Sequence, residues 1–239
     1  MDTVLVTGGC GYIGSHTAIC LIKNGFNVVL IDSLINSFKS SYVKILKLIE
    51  KDYVERKNNI KLIEGDLRDE KLLTKIFLDQ KKSGNEITSV VHFAGLKSIP
   101  ESIHSPLCYW DSNIVSTLSL LKTMEKFKCY SIIFSSSASV YKINSTNLLK
   151  EGDLLEPSTP YGKTKLTIEK ILEDIYLSNK KNWKIANLRY FNPAGAHESG
   201  LLEEKPKGDF SNLFPAINKV LKKEKEKLLI FGNDWPTKD

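Results

Sequence analysis

Arginine is nearly missing from this chain. Only Arg56, Arg68 and Arg189 appear among 34 basic residues, against a net charge of +6 over 239 residues. Arginine is the usual reader of base edges, so the basic excess does not point to nucleic acid. The lysines are dispersed among glutamates, as in 222–227, which is the pattern of a solvated helix end. No apolar run approaches the roughly 20 residues of a membrane span, so no membrane segment is expected. A strand-like segment starts at Thr3, which leaves no room for a signal peptide ahead of it. The four cysteines (Cys10, Cys20, Cys108 and Cys129) show no CxxC spacing, which excludes the common zinc and disulfide patterns and fits thiols in a reducing cytoplasm. Hydrophobic residues are not scarce: at 41% they suffice for a large core.

Apolar runs recur at 3–7, 27–31, 60–63, 88–94, 130–135 and 184–191. Helical stretches separate them near 12–24, 39–55, 69–83, 101–128 and 161–179. Continuous apolar strands alternating with helices predict an α/β fold, a doubly wound parallel sheet covered on both faces. The expected division is a dinucleotide-binding domain over 1–191 and the start of a smaller substrate-binding region over 192–239. A helix over 212–224 and a short strand over 228–231 are expected in that second region.

The first strand runs into Thr7-Gly8-Gly9-Cys10-Gly11-Tyr12-Ile13-Gly14. Gly8 permits a tight turn, Gly11 admits a pyrophosphate close to the backbone, and Gly14 lets the following helix pack on the strand. The helix N-terminus then offers free N–H groups to phosphate. The strand–loop–helix context gives this motif its weight. The second strand ends at Asp32, where a carboxylate accepts hydrogen bonds from ribose hydroxyls and repels the extra phosphate of NADP, so NAD is the expected cofactor. Capping of a loop is the competing reading of Asp32.

Tyr-x-x-x-Lys occurs three times, at Tyr53/Lys57, Tyr161/Lys165 and Tyr176/Lys180, about what chance allows in so lysine-rich a chain. Only Tyr161 stands at a helix start shortly after a serine cluster (135–137) that follows a strand. A tyrosine with a pKa near 10 is a poor base at neutral pH. A lysine one helical turn away favours its phenolate. The expected catalytic set is Ser137 to orient the reacting oxygen, Tyr161 as acid and base, and Lys165 to lower the tyrosine pKa.

The blocks TGGCGYIGSH, VVHFAGLKSIPES, FSSSASVY, PYGKTK, LRYFNPAGAHESG and IFGNDWPT resemble the extended short-chain dehydrogenase/reductases, and among them the UDP-glucose 4-epimerases, over essentially the whole chain. Sugar-nucleotide 4,6-dehydratases carry acidic residues just after the serine or threonine of the FSSS-like block, where this chain has Ala138-Ser139. The resemblance implies interconversion of UDP-glucose and UDP-galactose with NAD, by a homodimer built on two helices of each subunit, here 101–128 and 161–179. Leu118, Leu120, Leu121, Leu166, Ile168, Ile171, Leu172 and Ile175 are the apolar residues offered for that contact, with simple cover of the sheet as the alternative.

The same resemblance implies cofactor contacts from Tyr12, Ile13, Asn36, Asp66, Leu67, Phe93, Ala94, Gly95, Lys97, Ser112 and Tyr190, beside Gly8, Gly11, Gly14, Asp32, Tyr161 and Lys165. For Asp66 a turn-capping role is the equal alternative. Asn113 accompanies Ser112 in the family's polar pair. Substrate contacts are implied for Lys97, Ser137, Tyr161, Asn192, Asn212, Leu213 and Phe231. Ser33, Ser116, Lys142 and 209–211 depart from the family pattern and bear on sugar range, including N-acetylated sugars; another UDP-sugar epimerase and a non-catalytic NAD- or UDP-binding piece are the alternatives. The family continues beyond GNDWPTKD, so the chain is expected to be a truncated member.

Overall fold

The computed structural model describes all residues except 144–147, 205–206, 208–211, 231 and 233–239. Six strands form one parallel sheet: β1 (Thr3–Thr7), β2 (Asn27–Asp32), β3 (Ile60–Glu64), β4 (Ile87–His92), β5 (Ser131–Ser137) and β6 (Lys184–Tyr190). Their spatial order is β3-β2-β1-β4-β5-β6. This is the doubly wound order whose direction reverses beside β1, and ligands of such sheets bind at the carboxyl ends of the strands at that reversal. β1 is buried along its whole length, as a central strand covered on both faces must be.

The crossovers are α1 (Tyr12–Lys23), α2 (Lys39–Asp52), α3 (Glu70–Lys82), α4 (Ile99–His104), α5 (Pro106–Tyr109), α6 (Ser116–Lys126) and α7 (Pro160–Ser178). They cover two separate apolar cores, one on each face. One gathers Leu5, Val90, Leu120, Phe134, Ile168 and Leu172; the other gathers Val4, Val6, Ile22, Leu30, Ile45 and Ile49. Among the described residues no helix is long and apolar enough to cross a membrane.

Two sequence expectations are corrected. The helix expected over 101–128 is broken. Ser105 has φ −131° and ψ 60°, outside the helical region, and Pro106, which lacks an N–H, opens α5. A wider helical turn over Trp110–Val115 then leads into α6. The strand expected over 228–231 is also not formed: 228–230 have no regular structure, and Phe231 lies outside the described residues. The expected helix is present but shorter, as α8 (Leu213–Leu221).

After β6 the chain returns to the face of α1. The Tyr12 hydroxyl donates to the Gly195 carbonyl at 2.6 Å, and Leu202 is buried against the core that holds Val4 and Val6.

Candidate functional site

The glycine loop joins β1 to α1. Gly8 has φ +67°, which favours glycine, and a Cβ there would meet the Ala94 nitrogen at 2.9 Å. A Cβ on Gly14 would run into the Gly8 carbonyl oxygen. Gly11 is the N-cap residue of α1 and no side chain caps the helix, whose first turn also holds no acidic residue. The positive end of α1 is therefore left to an external anion. These residues fit a pyrophosphate.

Asp32 closes β2 beside this loop and is 8% exposed. Its Oδ2 accepts from the Cys10 N–H at 2.8 Å; its Oδ1 accepts from the Leu34 N–H at 2.9 Å and the Ser37 hydroxyl at 2.7 Å. The carboxylate thus stands where a ribose would be read and also ties the two loops together. The Cys10 thiol is pushed up to about 12, first by burial and then by the Asp32 charge, so it is no nucleophile.

Asp66 caps its own turn, accepting from the Arg68 N–H at 2.9 Å, and pairs with the Arg68 guanidinium at 2.6 Å. The hydrogen bond from Arg68 holds its carboxyl below the usual range. Arg68 reaches on to Asp111. Leu67 is buried in the core and so offers a ligand no side chain. Asn36 accepts from the Lys207 N–H at 3.4 Å.

The expected catalytic residues converge at the carboxyl ends of the strands. Ser137 ends β5, and its Oγ accepts from the Ser139 N–H at 3.2 Å. Tyr161 lies in the first turn of α7, capped by the Thr159 hydroxyl on the Gly162 N–H at 3.2 Å. A Cβ on Gly162 would meet the Ser139 carbonyl at 2.5 Å, so this glycine is what lets α7 approach the serine turn. Lys165 donates to the Ser135 carbonyl at 2.8 Å, with its ammonium 4.9 Å from the Phe134 ring centroid and 5.8 Å from that of Tyr161.

Burial pushes the Tyr161 phenol up, and the neighbouring Ser137 hydroxyl opposes that rise. Burial likewise drives Lys165 down to about 8. The sequence expectation is that Lys165, with the positive nicotinamide of the expected cofactor, lowers the tyrosine. In the structure the lysine ammonium lies over the ring and donates to backbone, and the Ser137 hydroxyl also opposes the rise.

A chain of buried polar groups behind the site is invisible to pattern reading. Thr117 donates to the Asn113 carbonyl at 2.7 Å, so its oxygen is left to accept from His92 Nε2 at 2.9 Å. His92 Nδ1 is then the acceptor for the Thr7 hydroxyl at 2.7 Å, and Thr7 Oγ1 in turn accepts from the Ala94 N–H at 3.1 Å. This order of donors fixes the tautomer. Burial depresses His92 to about 3, which keeps it neutral. Asn113 bonds both backbone groups of Leu96, at 2.8 and 3.1 Å, and donates to Thr164, whose hydroxyl donates to the Tyr161 carbonyl at 2.7 Å. The loop from Phe93 to Lys97 is thereby fixed to the start of α7.

The remaining expected residues scatter around this centre. Ile13 and Ser112 are partly buried, and Gly95 has φ +156° and faces Asn113. Phe93 and Tyr190 place their rings 6.5 Å apart. Lys97 pairs with Glu204 at 3.4 Å, and Asn212 donates to the same carboxylate at 2.5 Å. Asn192 and Leu213 are exposed, and Phe231 is outside the described residues. A concavity of about 530 Å³ lies elsewhere, along α3 between Glu70 and Lys82, and brings together none of the site residues. Among the described residues no group of His, Cys, Asp and Glu could hold a metal ion.

Residues 5–239 match the family model described as GDP-mannose 4,6 dehydratase. The chain belongs to that family. It is 42% identical over 236 residues to the UDP-glucose 4-epimerase of Bacillus subtilis (strain 168), covering 99% of this chain and 66% of the relative. It also resembles the crystal structure of UDP-glucose 4-epimerase from Bifidobacterium longum in complex with NAD+ and UDP. The TM-score is 0.89 and the identity 41%, covering 100% of this chain and 68% of that one. A third likeness is UDP-glucose 4-epimerase from Stenotrophomonas maltophila with bound NAD and formylated UDP-arabinopyranose. Its TM-score is 0.90 and its identity 38%, over 100% of this chain and 67% of that one. The chain thus spans about two thirds of the length of these relatives.

Proposed function

We propose that the protein inverts C4 of UDP-hexoses, interconverting UDP-galactose and UDP-glucose, with NAD held on the glycine loop and Asp32. The observation that carries this reading is the convergence of Ser137, Tyr161 and Lys165 beside that loop, with Ala138 and Ser139 where a dehydratase keeps its acidic residues. The likeness to epimerases crystallised with NAD and UDP supports it.

NAD held by the glycine loop and Asp32 would supply the acceptor, and then the donor, of the C4 hydride. Ser137 donates to O4 and holds it against the Tyr161 phenol. Tyr161 as phenolate removes the O4 proton while the hydride leaves C4, and a 4-keto sugar results. Lys165, held over the ring by its bond to Ser135, keeps positive charge beside the phenolate. The keto sugar turns, C4 is reduced from its other face, and Tyr161 restores the proton to O4. Each bond broken is remade, so the net reaction is an isomerisation. The sequence from 192 onward supplies the nucleotide side, where Asn192, Asn212, Leu213 and Phe231 are the residues offered, and Lys97 stands by cofactor and sugar.

A homodimer is part of this reading. Leu120, Leu121, Ile168 and Leu172 face the core and cannot serve it. Ile99, Ile103, Leu107 and Leu118 on α4, α5 and α6 are exposed and take their place, with Leu107 81% exposed. The free cysteines agree with a cytoplasmic setting. Incubating the full-length protein with UDP-galactose is the test: UDP-glucose should form without NADH accumulating in step. NADH rising mole for mole with product would overturn it in favour of a dehydrogenase.

A further inference from the structure

Tyr161, Lys165 and Glu169 recur every fourth residue and so share one face of α7. Each meets one residue of the β5 end. Tyr161 faces Ser137, whose hydroxyl opposes the rise in the phenol's pKa, Lys165 donates to the Ser135 carbonyl, and Glu169 accepts from the Ser136 hydroxyl. Glu169 is 6% exposed, so its charge needs a partner. Arg189 supplies it through two bonds, Nε to Oε1 at 3.0 Å and Nη2 to Oε2 at 2.8 Å. Arg189 is the register neighbour of Ser136 across the β5–β6 pair, so both reach the same carboxylate from one face of the sheet. The third arm of Arg189 donates to the Tyr141 hydroxyl at 3.0 Å and the Glu151 carbonyl at 2.9 Å, binding the segment after Ser139 to the same point.

We propose that Glu169, clamped by Arg189, is a positioning residue that sets the register of α7 on β5 and so holds Tyr161 against Ser137. It touches neither sugar nor cofactor and acts only through that register. A bidentate pair at a charged, buried carboxylate has one geometry, whereas apolar packing of α7 tolerates sliding. A slide of about 1 Å at a reacting group costs on the order of 100-fold in rate. The inference rests on the epimerase reading for its rate measurements, but the ionisation of Tyr161 tests it independently.

Two variants of the full-length protein decide: Glu169→Gln, which breaks the clamp, and Ser136→Ala, which keeps the buried ion pair and removes only its hold on β5. The ultraviolet titration of Tyr161 is read as the difference between each protein and the same background carrying Tyr161→Phe. The groups facing the phenol are Ser137 from β5, Lys165 from α7 and Tyr109 from α5. Both variants should shift this titration to higher pH, because the support of Ser137 is loosened. With UDP-galactose, kcat should fall roughly 10- to 100-fold while KM changes less than about 3-fold. If Glu169→Gln does not fold, Ser136→Ala carries the test. An unshifted titration with an unchanged kcat would overturn the proposal and leave the cluster a role in stability alone. A wild-type protein that epimerises no UDP-hexose would remove the functional reading, and the titration would still decide for or against the register.

Discussion

Lys165 is the costliest residue of the site. Its ammonium is buried, with one hydrogen bond and two ring faces for company, and burial drives its pKa from 10.5 to about 8. Below pH 8 both folded and unfolded chains carry the proton, and the burial penalty is present in full. Between pH 8 and 10.5 the unfolded chain binds more protons, so stability rises with pH. Lys165→Met should therefore raise stability at pH 7 by about 2 kcal/mol, once its lost bond to Ser135 is discounted. The gain should disappear near pH 10, and epimerase turnover should be lost. Chemical denaturation across that range checks it, and a variant less stable at pH 7 would contradict it. Tyr161→Phe should cut turnover by roughly 10²–10⁴-fold while NAD still binds, measured by steady-state kinetics and calorimetry. At this scale the sequence is readable where chemistry has a motif, as at Gly8, Asp32 and Tyr161. It is silent on His92, Thr117 and Thr164. Each is a single polar residue in an apolar or helical stretch, whose partners lie 25 to 85 residues away.

At the scale of elements, the strands and most helices follow from apolar runs, because a parallel sheet buried on both faces writes itself as β-rich apolar blocks. Pro106 signals the break before α5, but apolar residues continue on both sides of it and mask the signal. Four of the expected interface residues are buried for a related reason: a helical apolar stripe does not say which neighbour it faces, and Leu120, Leu121, Ile168 and Leu172 face the core. Asp66 shows the same limit in miniature, since the ion pair that occupies its carboxylate depends on the Arg68 side chain folding back. The β1–α1 loop depends on close backbone approach. Gly14→Ala should push α1 away from Gly8 and reduce NAD affinity at least about tenfold, on the order of 1.4 kcal/mol, by isothermal calorimetry. Unaltered affinity with an intact fold would contradict this close packing of α1 on the loop.

For the whole molecule, exposed Ile99, Ile103, Leu107 and Leu118 on the successive helices α4, α5 and α6 are the surface offered for a twofold contact. The unsubstituted protein should sediment as a dimer at micromolar concentration, and Leu107→Glu with Ile103→Lys should leave a monomer. A monomeric unsubstituted protein would contradict that part of the reading. At the heart of the proposed reaction, one hydride leaves C4 and returns to the other face of the same sugar while Tyr161 keeps account of the proton. The most direct measurement uses UDP-galactose carrying deuterium at C4, incubated with the full-length protein in ordinary water. The UDP-glucose formed should retain the deuterium at C4, with no exchange into solvent and no accumulated NADH. UDP-glucose bearing protium at C4 would contradict the return of the same hydride.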